Sequence, residues 1–394
     1  MKKKLVAVAV AGVLGAPLAA NAQTANVTLY GRLNITQEFV RGQTCAAANV
    51  PSGNNPCPRD AAGNQITTNQ TASRLSSNSS RFGLRGTESL GGGLSAIFQI
   101  ESSINGDTNA GNLGGRETFV GFQGSWGTFK MGHFLMPLDD MHPIFGNVPT
   151  YTTSILSTAT LWAQGTLAKS DGGFDARLGN SLRYDSPSFG GFTFSGQVAQ
   201  RDGSGTTGAN TGDHPSELRH AVVYGANGMY NNGPAQFGIG YELNKGVRGQ
   251  NLDDYDITVT GGWNFGFVRV AALYERLKYD VLLGGDLKRD LWGVSGTIPM
   301  GPGTWYVSWQ RANDGKGSAE DGSRVGGLAK GSDTASDQYE VSYTYPFSKR
   351  TQVYSGYVYI NNHSNASYTF NINPYPIAIG GKPQGLVFGM IHFF

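Results

Sequence analysis

Apolar and polar residues alternate with a period of two over much of this chain. Val27, Leu29, Leu33 and Ile35 interleave with Thr28, Tyr30, Arg32, Asn34 and Thr36. Phe192, Phe194 and Val198 interleave with Thr193, Ser195 and Gln197. The pattern returns in Phe237, Ile239, Tyr241 and Leu243, in Ile257, Val259 and Trp263, and in Val268, Val270, Ala272 and Tyr274. Trp292, Val294 and Ile298 follow, then Trp305, Val307 and Trp309, and the cleanest run is Tyr339, Val341, Tyr343, Tyr345 and Phe347. Successive side chains of a strand point to opposite faces, so each run predicts a strand with one apolar and one polar face. A soluble sandwich alternates too, so alternation alone does not separate sandwich from barrel.

The connections separate them. Tight turns fall at Leu90 to Gly93, Ser125 to Gly127, Phe189 to Gly191, Asn231 to Gly233, Phe265-Gly266, Pro299 to Gly303 and Pro346 to Lys349. Long polar stretches run from Val40 to Ser73, Leu135 to Asp175, Arg201 to Ser216, Asn313 to Ser336 and Asn361 to Pro383. Short turns at one end and long loops at the other predict an all-β fold, a transmembrane antiparallel β-barrel with its short turns on the periplasmic side. At about 23 residues per strand and connection the chain holds about sixteen strands, an even number within the range of such barrels. Trp126, Phe189, Phe265, Phe347 and Phe394 sit at the turn-side ends, where aromatics form an interfacial girdle.

The first residues place the chain in an exported compartment. Met1 to Lys4 carry three lysines, Leu5 to Leu14 form a short apolar stretch, and Ala20-Asn21-Ala22 has the small-x-small form of a cleavage site. This predicts a signal peptide over residues 1–22 and a single barrel domain over 23–394. The apolar run is shorter than the roughly 20 residues of a spanning helix. Cleavage removes three positive charges and no acid, so 30 Lys plus Arg against 28 Asp plus Glu becomes a slight acidic excess. Nucleic acid loses its main support as a partner.

Composition narrows the class further. The 58 glycines, 18 tyrosines and 20 phenylalanines, with only 15% charged residues, exclude a disordered chain and suit short strands and turns. Cys45 and Cys57, the only two cysteines, lie close together in a Pro/Asn/Gly-rich stretch. After export they are read as a disulfide pinning an exposed loop, and their spacing is not that of a Cys-x-x-Cys redox pair.

Four motifs in order carry a family resemblance. Leu29-Tyr30-Gly31, the run from Ser80-Arg81-Phe82-Gly83-Leu84-Arg85-Gly86 to Leu94, Asn180-Ser181-Leu182-Arg183-Tyr184-Asp185-Ser186-Pro187 and the ending Gly389 to Phe394 resemble signatures of the general diffusion porins of β-proteobacteria. The resemblance implies a sixteen-stranded barrel in the outer membrane, embedded in its lipids. It further implies a homotrimer with one pore per chain, passing small hydrophilic solutes and ions without a cofactor. The third external loop, here 135–175, would fold inward and constrict the channel. The C-terminal strand, with Leu386, Phe388, Met390, His392 and Phe394 on one face, resembles the signal read by the outer-membrane insertion machinery.

A narrowed bore selects by diameter and by the field between basic and acidic walls. Arg32, Arg81, Arg85 and Arg183 fall on polar faces and are the expected basic side; Arg177 joins them by likeness to porin constriction arginines, and the facing of Lys130 stays open. Asp139 and Asp140, at the start of the inward loop, are the expected acidic side, with Asp171 and Asp175 assigned to its exit. Two departures weaken that field. Gly132-His133 stands where the family usually has Gly-Arg, which makes His133 a pH-sensitive member of the constriction. His142-Pro143-Ile144-Phe145-Gly146 lacks the acid that relatives commonly carry after the proline. The expectation is a weak anion preference.

Catalytic chemistry finds no motif. Gly124-Ser125-Trp126-Gly127 lacks the Gly-x-Ser-x-Gly spacing of a nucleophile elbow, and Gly91 to Gly93 lacks the Lys-Ser/Thr of a phosphate loop. No His-x-x-x-His or Cys/His cluster suggests a metal; Asp253 and Asp254 are unspecific candidates for calcium. A non-enzymatic pore is therefore expected. The clear aromatic rows lie on the apolar faces, not along the lumen, which favours a general pore over a solute-specific channel.

Overall fold

The alternating runs close into a barrel in the computed structural model, which describes residues 26–45, 57–108, 110–147, 153–162, 174–200, 221–249, 251–282, 284–325 and 328–394. The expected signal peptide, the loop from Arg201 to Ser216 and Asp171 lie outside the described residues. The strands are β1 Asn26–Cys45, β2 in two segments Thr67–Ser77 and Arg81–Gly91, β3 Leu94–Asn105, and β4 in two segments Ala110–Asn112 and Thr118–Gly124. Next come β5 Gly127–Leu135, β6 Arg177–Asp185, β7 Phe192–Gln200, β8 Val222–Asn232, β9 Ala235–Lys245 and β10 Asp253–Asn264. The last six are β11 Arg269–Asp280, β12 Asp286–Met300, β13 Gly303–Ala312, β14 Ser336–Pro346, β15 Thr351–Asn362 and β16 Gln384–Phe393.

Each strand pairs antiparallel with the next, and β16 returns to β1 through a ladder from Arg32↔Phe393 to Arg41↔Gln384. Closure leaves no free sheet edge, which is what lets strands cross a hydrocarbon layer that offers no hydrogen bonds. No helix among the described residues is long and apolar enough to cross a membrane.

Burial is inverted relative to a soluble protein. The apolar rows face outward: Val270, Trp292, Val294, Val341, Phe388 and Met390 are each 40–51% exposed. The large apolar cluster sits inside the bore, where Leu138, Met141, Phe145, Ile155, Leu156 and Trp162 meet Leu273, Leu277 and Leu291 of the wall. Trp126, Phe189, Phe265, Phe347 and Phe394 are exposed at the turn-side rim. At the opposite end two links are also short, 246–252 and 281–285. Cys45 and Cys57 form a disulfide where β1 leaves the barrel.

The inward loop has company. Besides the described parts of the loop, 135–147, 153–162 and 174–175, the connection 363–383 turns into the mouth: Tyr368 and Phe370 are buried, and the Asn371 amide donates to Thr160 Oγ1 at 3.3 Å. The sequence reading of a single inward loop was thus incomplete; the aromatics Tyr368 and Phe370 need cover that water does not give.

The seam between first and last strands depends on Gly31. Its amide donates to the Phe394 carbonyl at 3.0 Å, and the Phe394 amide donates back at 3.1 Å. A Cβ at this position would run into the Phe394 ring and stand 2.6 Å from the Arg81 carbonyl oxygen. Gly31→Val is expected to cost about 1–3 kcal/mol through overpacking, and to lower the folded fraction severalfold when the chain is refolded into vesicles. Wild-type yield, read from heat-modifiable gel mobility, would overturn this role for the seam.

Candidate functional site: the lumen and its inward loop

The loop lies on a track made of absent side chains. Lumen-facing glycines on five strands meet it: a Cβ on Gly225 would stand 2.5 Å from Met136, on Gly240 2.6 Å from Leu138, on Gly293 2.8 Å from Phe145, on Gly356 2.8 Å from Leu156 and on Gly385 2.6 Å from Ile155. Polar wall groups then fasten its backbone. Asn227 Nδ2 donates to the Pro137 carbonyl at 2.5 Å, Ser295 Oγ and Tyr306 Oη donate to the Phe145 carbonyl at 2.7 and 3.0 Å, and Gln338 Nε2 donates to the Ser157 carbonyl at 3.0 Å. Loop carbonyls inside a barrel would otherwise lack partners, at a cost of about 1–3 kcal/mol each.

A group of cations lies on β1, β2 and β6 and in the link before Thr118. Arg32 and Arg81 are directly opposed on β1 and β2, facing inward, and Arg85 lies about 13 Å further along β2. Glu101 on β3 is the acidic hub: Arg116 Nε sits 2.6 Å from one of its oxygens, Arg81 Nε 3.6 Å from the other, and Tyr30 Oη donates to it at 3.1 Å. Arg177 Nε lies 3.4 Å from Glu117. Arg81, Arg116 and Arg177 are close enough to repel one another, so their group retains a surplus positive charge over Glu101 and Glu117. Arg85 stands over the Tyr30 ring at 5.0 Å. Lys130 faces inward and pairs with Asp185 at 2.8 Å.

The loop acids divide. Asp140 accepts from Arg183 Nη2 at 2.5 Å and from Asn227 Nδ2 at 2.9 Å, while Arg183 Nε reaches Asp185 at 2.7 Å. Burial lifts the Asp140 carboxyl above its ordinary pKa in spite of the adjacent guanidinium. Asp139 turns toward the loop's own His142 and Asp175 instead. His142 is fully buried; burial opposes its charge, but the Asp175 carboxylate at 2.7 Å outweighs this and raises its pKa above the usual value. Across the bore, β9 to β11 hold Glu242, Asp256 and Glu275, buried behind the loop, with Arg289 on β12 paired to Glu275.

The structure contradicts one expectation about the site. His133 pairs with Thr118 and shares the outward face of Phe129 and Met131, bordering a hollow in the outer wall with Leu182 and Val198. The bulge between Gly132 and Phe134 keeps it there: Gly132 adopts φ +149° and would drive a Cβ into the Thr118 carbonyl. His133→Gln is accordingly expected to leave the zero-current potential of the channel unchanged between pH 5 and 8; a pH-dependent difference from wild type would return His133 to the bore. Sequence reasoning also missed Arg116, Glu101 and Glu117. Glu101 was legible as the lone acid on the polar face of β3, whereas Arg116 follows Gly114-Gly115 in an irregular link where alternation carries no signal.

A closed sixteen-strand barrel whose charged bore holds part of its own loop is the build of a membrane pore. A family profile described as Gram-negative porin matches residues 6–365. The chain is 29% identical over 390 residues to outer membrane porin protein 32 of Delftia acidovorans, covering 98% of this chain and 96% of the relative. It is 29% identical over 354 residues to the major outer membrane protein P.IB of Neisseria meningitidis serogroup A, covering 89% and 91% of the two chains. Among solved structures, the anion-selective porin from Comamonas acidovorans superposes with a TM-score of 0.68 at 23% identity, over 94% of this chain and all of that one. OmpT of Vibrio cholerae, solved in a trimer form, superposes with a TM-score of 0.61 at 15% identity, over 94% and 99% of the two chains. The chain belongs to the Gram-negative porin family. It is an outer-membrane porin, a water-filled channel for passive diffusion.

Proposed function

We propose that this porin passes small hydrophilic solutes and ions with a weak preference for anions. The observation that carries this reading is the cationic group Arg81, Arg116 and Arg177, which keeps a surplus positive charge around Glu101 and Glu117 in the bore. Arg32 and Arg85 extend it along the bore, while Arg183 joins the wall to the loop through Asp140. The preference is weak because the surplus is small, three guanidiniums against two carboxylates, and Arg183 is neutralised by Asp140 and Asp185. In this reading residues 135–175 set the size limit and the chain is a conduit, not a catalyst; its relatives are named as porins, which supports that.

The test is the zero-current potential across a bilayer in a salt gradient, with liposome swelling in a size series of uncharged solutes. A small potential of the sign set by anions and a size-graded swelling rate are expected. Cation-signed potential sinks the anion preference, and one saturable solute sinks the general pore.

Three chains assemble side by side in this reading. An apolar depression on the outer wall, lined by Ile35, Leu75, Tyr345, Phe347, Phe388 and Met390 on β1, β2, β14 and β16 and at the adjoining turn, is the surface offered to a neighbouring copy. The trimer form of OmpT supports it. Export with cleavage after Ala22, a single barrel domain over 23–394, and recognition of the Phe394-ended strand by the insertion machinery complete the proposal.

A further inference from the structure

The start and the end of the inward loop meet in a polar knot. His142, in the short helix His142–Phe145, places Nε2 at 2.7 Å from Asp175 Oδ2. Asp139 stands one turn earlier, and one ligand-capable atom from each of Asp139, His142 and Asp175 lies within 4.8 Å of the other two. The imidazole is fully buried against Trp162, ring centroids 3.9 Å apart. The wall adds a further carboxylate: the Asp175 amide donates to Glu242 Oε2 at 3.1 Å, and Glu242 has no exposed surface.

A second observation points to a ligand. Among the described residues Asp175 Oδ1 and Glu242 Oε1 are buried without a hydrogen-bond partner. Carboxylate oxygens removed from water are ordinarily paired or bound to metal. Among the described residues their neighbours are other acids and one imidazole, so a cation is the fitting partner. The donor set decides which kind. Hard Ca²⁺ and Mg²⁺ take oxygen ligands, whereas imidazole with carboxylates suits Zn²⁺ and its neighbours. Zinc–ligand bonds of about 2.0–2.2 Å set tetrahedral donors about 3.4 Å apart, so the widest spacing must close by up to about 1.4 Å while the 2.7 Å contact of His142 with Asp175 opens.

We propose that Asp139, His142 and Asp175 form a binding site for a divalent transition-metal ion of the zinc class, with Glu242 on the wall behind Asp175. The ion exchanges for the proton that His142 and Asp175 otherwise share. It ties the first turn of the loop to its exit and both to β9, so the loop stiffens. That consequence rests on the reading of 135–175 as the loop that narrows the bore; the binding itself does not.

The test uses the folded full-length porin in detergent, stripped with chelator and titrated with ZnCl₂ in a calorimeter, alongside current noise from single channels in a bilayer. Saturable binding of one Zn²⁺ per chain is expected, weakened at least tenfold in His142→Gln and Asp175→Asn and not displaced by MgCl₂, with quieter currents on adding Zn²⁺ to the wild type only. Asp139→Asn, at the less buried end of the cluster, serves if the buried variants fail to fold. No saturable binding, equal binding by the variants, or displacement by Mg²⁺ overturns the site. Binding that leaves the noise unchanged upholds the site and counts against 135–175 as the narrowing loop.

Discussion

Replacing Arg81 and Arg177 together by glutamine is expected to turn the channel from weakly anion-preferring to cation-preferring. Both guanidiniums repel Arg116 and lie in the bore beside Glu101 and Glu117. Removing them leaves Arg116 to neutralise Glu101 and leaves Glu117 uncompensated, so the local surplus changes from one positive to one negative charge. A unit charge about 8 Å from a permeating ion is worth about 0.5–2 kcal/mol between the dielectric of water and that of a protein surface, reduced about twofold by salt near 0.1 M. Two such changes act with opposite sign on anions and cations, which makes roughly a tenfold swing in their permeability ratio. The reversal potential in a KCl gradient reads it directly. Because glutamine keeps most of the side-chain volume, conductance at high salt should change little, and an unchanged potential would remove these arginines from the selectivity of the pore.

The second large effect is expected from a single methyl-bearing side chain on the glycine track. Gly293→Val places atoms in the space of the Phe145 ring, which is rigid and hemmed in by Trp162. Valine suits a strand, so the barrel itself should form normally. The loop must then lift, stretching the bonds from Ser295 and Tyr306 to the Phe145 carbonyl. Overpacking and weakened bonds together cost about 1–3 kcal/mol, enough to move the loop into the bore. Single-channel conductance is expected to fall by about half with noisier open levels, while heat-modifiable mobility stays that of the wild type. Wild-type conductance would mean that the loop does not depend on this contact.

How much of this was legible follows from what each signal measures. Alternation reports which face meets lipid and which meets water, so the sixteen strands, the rim aromatics and the inward facing of Arg32, Arg81, Arg85 and Arg183 could all be read from residue order. His133 shows the method outweighed by analogy: Phe129 and Met131 carry the alternation that puts it outside, yet the place of Gly132-His133 in a family pattern suggested the bore. The glycines were read as turn residues, and many are. Those of the track lie within strands, on the lumen face, and their purpose depends on a loop remote in sequence. Pairings such as Arg116 with Glu101, or His142 with Asp175, join residues across irregular links, where a period of two predicts nothing.

The pairing of β1 with β16 joins the two ends of the chain and can form only when both are present. The first strand cannot satisfy its open side until the last one is in place, so until then the chain is an unfinished sheet whose margins invite other chains. Contacts so distant in sequence also form slowly. A barrel closed this way completes its hydrogen bonding only at the last step, and the paired amides of Gly31 and Phe394 mark where that step ends.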